Sequence, residues 1–275
     1  MKEGHSVINV SILKSTGGQL VEVEDKVVAE DPLEIIIKHG RKGSRSSFPL
    51  AVTMRTHGED HELALGFLFT ENVIQKRSDV SSIQQLSADQ ILVQLNADIF
   101  FNEAEMHRNV YTSSSCGVCG KASIDRVTMA IPYVLKRTQP KVSTRCISQW
   151  PDVLRKRQSM FEKTGGIHAV GLFRQTNLLT LREDVGRHNA MDKLIGAALS
   201  DQTLPLDECA VLVSGRASFE LVQKALMAGV PILAAVGAPS SLAIDLASAH
   251  NMTLIGFLRK EHFNIYCGAE RILRH

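Results

Sequence analysis

No uninterrupted apolar run in this 275-residue chain approaches the roughly 18–20 residues that cross a bilayer, so membrane insertion is not expected. The opening MKEGHSVINVSILK has no apolar stretch of the kind a secretory signal needs, and a cytoplasmic location is expected. Net charge of one sign is missing too. The 31 Lys and Arg face 29 Asp and Glu, which leaves no basic field to hold nucleic acid by counterion release. Nothing repeats and nothing is low in complexity. Cysteine is scarce and odd in number, five in all, which argues against a disulfide framework. What remains is an ordinary globular composition, 44% apolar and 22% charged, with length for one large or two moderate domains.

Among the cysteines, Cys209 and Cys267 adjoin apolar strand-like runs, the usual place of a buried free thiol. Cys146 lies in a polar connector and is given no role. Cys116 and Cys119 differ, because they sit in SSSCGVCG at 113–120, among residues that leave a thiol mobile and accessible. Two thiols at this spacing serve as a metal clip, a redox pair, or a nucleophile with its helper. A structural zinc site usually supplies a second CxxC or a close His pair, and no second CxxC exists. A zinc deaminase needs H-x-E followed by P-C-x-x-C. The chain does contain HGE at His57 to Glu59, but far upstream, and Ser115 stands where proline belongs. A thioredoxin-type pair belongs between a strand and a helix near the chain start. A thiolate that carries a group fits best, its pKa lowered by Lys121 and by the helix predicted to follow.

Residues 7–38 alternate β-branched and polar side chains around STGGQ, VEDKV and AEDPL, predicting short antiparallel strands with turns at those three places. FPLAVTMRT reads as a further strand, EDHELALGFLFTENVI as a helix, and SSIQQLSADQILVQL as strand again. A boundary is expected near residue 112, giving a β-rich domain with one helix at 1–112 and an α/β domain at 113–275. In the second part, KASIDRVTMAI predicts a helix. SQWPDVLRKRQSMFEKTGG predicts another, with Pro151 near its first turn and Gly165 past its end. The basic KRTQPKVSTR at 136–145 reads as an exposed connector. IHAVGLFR and NLLTLR predict a hairpin, and GRHNAMDKLIGAALS a helix. CAVLVSG, SFELVQKALMAG, PILAAVG, SSLAIDLASAH and MTLIGFL then alternate strand and helix, the pattern of a parallel sheet covered on both faces. The fold class is α/β, preceded by a β-rich segment.

Parallel strands of this kind bring their carboxyl ends to one edge, where ligands of open α/β sheets bind. SGRAS at 214–218, GAPSS at 237–241 and LRKEH at 258–262 are expected to meet there. Two of these loops lead into helix N-termini rich in Gly and Ser, which with Arg216 and Arg259 suit a phosphorylated or otherwise anionic ligand. In REDVGRHNAMDKLIG, Asp184 is the expected N-cap, Arg187 and His188 fall in the first turn, and Asp192 at i+4 is expected to orient the His188 ring. His168 follows two glycines in TGGIHAVG. On spacing alone, either histidine is as well explained by a structural role.

Taken in order, SSSCGVCGKASID, TGGIHAVGL, REDVGRHNAMDKLIG, SGRASFELVQKALMAGVPILAAVGAPSSLAIDLA, TLIGFLR and FNIYCG resemble the formate dehydrogenase accessory sulfurtransferases, the FdhD/NarQ family. HELALGFLFTENVI fits the same family, and the resemblance covers roughly residues 50–270. It implies that a cysteine desulfurase delivers sulfur as a persulfide to the CxxC loop. The sulfur would then pass to the molybdenum bis(molybdopterin guanine dinucleotide) cofactor, bound as a substrate, before that cofactor enters formate dehydrogenase. By position Cys116 matches the persulfide-carrying cysteine and Cys119 the second loop cysteine. Phe257, Leu258, Arg259, Lys260, Glu261 and His262 match the stretch assigned to cofactor binding.

The resemblance also implies a three-layer carboxy-terminal domain similar in fold to cytidine deaminases. Ser214, Gly215, Arg216, Arg187, His188 and His168 are the further candidates for holding the cofactor, or GDP-like nucleotides at the same site; no permanent metal is expected. Cys119 either releases the sulfur by forming a disulfide with Cys116 or acts as a second carrier. A homodimer is allowed but not required. Two rivals stand beside this reading: a zinc-dependent nucleobase deaminase-like enzyme, and a non-catalytic chaperone that only holds the cofactor.

Overall fold

The computed structural model describes residues 6–103 and 131–274. The cysteine loop at 113–120, the helix predicted at KASIDRVTMAI and the expected boundary near 112 lie outside the described residues. The chain opens with a long ribbon, β1 (Val7–Thr16) and β2 (Gln19–Val28), paired antiparallel throughout. Its two-residue turn, Gly17 and Gly18, has φ of 60° and 83°. Glycine takes both values without strain, and the turn matches the twist of the strands. VEDKV lies within β2 and is no turn.

Next come β3 (Asp31–His39), β4 (Ser46–Arg55), α1 (Asp60–Thr70), β5 (Val80–Ser87) and β6 (Gln90–Leu95). The four strands form a sheet ordered β4-β3-β6-β5. Alternation places Leu33, Ile35, Ile37, Ile91, Val93 and Leu95 on its buried side, all fully buried.

The larger sheet is ordered β13-β12-β11-β10-β8-β9. It is built from β8 (His168–Arg174), β9 (Asn177–Asp184), β10 (Ala210–Val213), β11 (Ile232–Ala235), β12 (Thr253–Arg259) and β13 (His262–Cys267). Only β10, β11 and β12 run parallel; β8 and β13 are antiparallel to their neighbours. The parallel expectation for the strand–helix alternation therefore holds. At the flanks, the hairpin expected from IHAVGLFR and NLLTLR forms as β8 and β9, and β13 returns antiparallel on β12. There short turns, which cannot make a parallel crossover, return the chain as hairpins.

One face of this sheet is covered by α2 (Thr144–Arg155), which follows the short β7 (Val142–Ser143). Ile147, Trp150 and Leu154 point from α2 onto Ala210, Leu212, Ile232 and Ala234, and Trp150 Nε1 donates to the Gln175 carbonyl at 2.7 Å. The predicted helix over 148–166 divides in two. α2 starts four residues earlier, on a Ser143 cap, so Pro151 lies inside it rather than in its first turn. α3 (Ser159–Thr164) is separate. Its exposed amino end is met by Glu183 of β9, whose carboxylate accepts from Met160 N at 3.2 Å and Phe161 N at 3.1 Å. Such a cap requires the chain to break after Arg155 and start again.

The opposite face is covered by α4 (Arg187–Ser200), α5 (Phe219–Met227) and α6 (Ser241–Ala249). α4 is buried nearly all round, because α1 packs on its far side and joins the first sheet to the same core cluster. The crossing is made at two glycines. A Cβ on Gly66 would overlap the Asp192 carbonyl oxygen, and one on Gly196 would overlap the Glu62 carbonyl oxygen. Among the described residues no helix is long and apolar enough to cross a membrane.

Candidate functional site

The carboxyl ends of β10, β11 and β12 are stitched together by backbone. Gly237 N donates to Gly215 O at 2.9 Å, and Phe257 N donates to Gly237 O at 3.0 Å. Each loop thus fixes the next. Gly237 is tightly enclosed, since a Cβ there would lie 3.0 Å from Arg216 Cγ and 3.1 Å from Gly215 O. Behind the loops Ser218 and Ser240 cap α5 and α6, accepting from Leu221 N and Ala243 N. The start of α4 differs: its N-cap is Gly186, which brings no side-chain cap.

His168, at the start of β8, reaches the same edge because β8 is antiparallel to β10. Ser214 Oγ holds the strand there by accepting from Ala169 N at 2.9 Å. A Cβ on Gly215 would sit 3.4 Å from His168 Nδ1 and 3.9 Å from Arg187 Cδ, so His168, Gly215 and Arg187 form one cluster. Burial, then the charges of Arg187 and His188, hold the His168 ring below its ordinary pKa. Arg187 Nε is buried and has no hydrogen-bond partner among the described residues. An unpaired buried donor carries a desolvation cost that an anionic acceptor would remove. Arg216, which follows Gly215 in the chain, is exposed.

Two expectations about α4 are corrected here. Asp184 is not the cap. Its buried carboxylate pairs with Lys193 at 2.9 Å and accepts from Thr56 N and Gly186 N, tying the end of β4 to α4. Nor does Asp192 orient His188. Its two oxygens are taken by Lys224 Nζ, at 2.9 Å each, and by Thr70 Oγ1 at 2.9 Å. His188 turns instead to α5, where its Nε2 lies 3.0 Å from Glu220 Oε2 and 3.2 Å from Ser218 Oγ. Glu220 was missed by the sequence reading. The visible signal was an acid two places after a serine cap, where a helix start favours negative charge.

The stretch from Phe257 to His262 divides between different surroundings. Phe257 is exposed with φ of 53°, Leu258 is fully buried in the core beneath α2, and Arg259 is exposed. Lys260 and Glu261 form the turn between β12 and β13 and face α2 with His262. They border an open groove of about 1110 Å³, whose far wall is Thr144, Ser148 and Asp152 of α2. Lys260 Nζ lies 3.6 Å from Asp152. The structure therefore brings His168, Arg187, His188, Ser214, Gly215 and Arg216 together and sets the Lys260–His262 turn apart beyond them. Cys116 and Cys119 lie outside the described residues.

Residues 28–273 match the model of the FdhD/NarQ family. The chain belongs to that family. It is 47% identical over 267 residues to the sulfur carrier protein FdhD of Mycolicibacterium paratuberculosis, covering 94% of this chain and 95% of that one. The FdhD of Streptomyces coelicolor is 44% identical over 272 residues, covering 95% and 94%. That of Sulfolobus acidocaldarius is 39% identical over 264 residues, covering 96% and 97%.

The crystal structure of a formate dehydrogenase accessory protein from Desulfotalea psychrophila superposes with a TM-score of 0.76 at 23% identity. It covers 98% of this chain and all of that one, so the FdhD/NarQ chain has that protein's fold. The likeness to cytidine deaminases is not part of this match.

Proposed function

We propose that this FdhD/NarQ chain is a sulfur carrier that serves formate dehydrogenase by moving persulfide sulfur to its molybdenum cofactor. The observation that carries the reading is the end-to-end match to relatives named sulfur carrier proteins in a chain that places two cysteines, Cys116 and Cys119, in one serine- and glycine-rich loop.

In this reading the Cys116 thiolate attacks the terminal sulfur of a persulfide on a cysteine desulfurase. A new S–S bond forms on Cys116, the donor's S–S bond breaks, and the donor cysteine leaves as a thiolate. No net oxidant is needed. The acceptor is the molybdenum bis(molybdopterin guanine dinucleotide) cofactor, held as substrate. Its phosphates suit the carboxyl edge of the sheet, where the unpaired Arg187 Nε, the exposed Arg216 and the open amino end of α4 offer donors to an anion. Arg259 and the Lys260–His262 turn would meet the outlying part of so large a ligand.

Formate dehydrogenase activity in cells that depend on this chain tests the reading. Cys116→Ala with Cys119→Ala should abolish it while the protein accumulates normally. Full activity from that variant would make the chain a holder of cofactor, not a carrier of sulfur.

A further inference from the structure

His188 and Glu220 start two different helices, yet their side chains meet over the loop that ends β10. Nε2 of the ring lies 3.0 Å from Glu220 Oε2 and 3.2 Å from the hydroxyl of Ser218, the residue that caps α5. Neither partner is locked away from solvent, the side chains being 30% and 43% exposed.

The surroundings are charged on every side. Arg187 and Asp192 flank His188 on α4, His168 approaches from β8 with Asp184 of β9 behind it, and Lys224 stands one turn beyond Glu220 on α5. Asp192 and Lys224 neutralise each other at 2.9 Å, and Asp184 is paired with Lys193. Glu71, just past the end of α1, also reaches Lys224, at 3.6 Å, and lies within electrostatic reach of Glu220. Arg187 and His168 face His188 from one side and Glu220 from the other.

We propose that Glu220 is a positioning residue: by holding Nε2 it fixes the orientation of the His188 ring at the carboxyl edge of the sheet, toward an anionic ligand bound there. The proposal rests on the reading of that edge as an anion site. Without the carboxylate, the ring loses the charged partner on α5 that sets its orientation. The hydrogen bond from His188 holds the Glu220 carboxyl below its ordinary range, as a carboxylate in an ion pair requires. Glu220 itself touches no ligand in this arrangement; it acts through His188.

GDP is the probe, and the full chain is used throughout. NMR follows the His188 ring signals, with and without GDP, in the unsubstituted chain, in Glu220→Ala and in Glu220→Gln, which keeps an acceptor. Calorimetry measures GDP affinity for the same proteins at one fixed pH. The expected result is a displaced His188 ring signal in Glu220→Ala with GDP affinity reduced about tenfold, and recovery of much of that loss in Glu220→Gln. In His188→Gln the Glu220→Ala substitution should cause no further loss.

An unmoved His188 ring signal in Glu220→Ala, or a moved signal with unchanged GDP affinity, would overturn the role of Glu220 while leaving the edge as an anion site. Failure of the unsubstituted chain to bind GDP would overturn the anion-site reading and this proposal together.

Discussion

Two buried ion pairs sit on consecutive residues of α4, Asp192 with Lys224 and Lys193 with Asp184. Burial pushes the Asp192 carboxyl up. It also works against the Lys224 charge, which Asp192 and Glu71 nonetheless hold above its ordinary value. Breaking such a pair from one side leaves an uncompensated buried charge. Lys224→Met should therefore cost about 3–5 kcal/mol in denaturant unfolding. The double variant with Asp192→Leu should recover much of that loss, since an apolar pair has no charge left to solvate. A neutral Lys224→Met would show that the pair carries no stability.

His168 gives a pH prediction. Its ring is held below the ordinary 6.5 by burial and by neighbouring cations, so the neutral ring is the one the fold accommodates. The stability it contributes is present above pH 6.5 and is lost as pH falls through the lower folded value. The unfolding midpoint of His168→Gln, followed from neutral pH downward, should fall less steeply than that of the unsubstituted chain.

At the scale of elements, the contact between α1 and α4 is the joint on which the two sheets meet, and it depends on glycine. Gly66→Ala or Gly196→Ala would drive a methyl group into backbone carbonyl oxygen, which no rotamer change relieves. Each should cost at least about 1–3 kcal/mol, lowering Tm by roughly 2–4 °C per kcal/mol for a chain this long. An unchanged Tm in either would mean that the helices separate freely.

Much of the element order was legible in advance because its signals are local. β10 and β11 are apolar runs of four residues, α5 and α6 begin on serine caps, and Gly165 ends α3 in the left-handed conformation. The helix joint was not legible. Gly66 and Gly196 each look like a tolerated glycine in a helix, and only tertiary packing brings them to one crossing. The partner of His188 was misread for a related reason. Spacing of i+4 treats a helix as isolated, whereas Asp192 faces Lys224, 32 positions further on, and Glu220 arrives from another helix by the same long route.

Over the whole molecule, two antiparallel flanks and a parallel centre put loops from β8, β10, β11 and β12 on one edge. That edge gathers His168, Arg187, His188 and Arg216 without any of them adjoining the cysteine loop in sequence. In the proposed function the edge holds an anionic substrate, while the loop, outside the described residues, supplies the sulfur. The central claim is the sulfur on Cys116, and mass spectrometry tests it most directly. The chain is incubated with a cysteine desulfurase and cysteine, without reductant, then weighed intact and as peptides. The expected result is the mass of one added sulfur on the peptide containing Cys116, absent from Cys116→Ala. No added sulfur in the presence of a competent desulfurase would contradict the account.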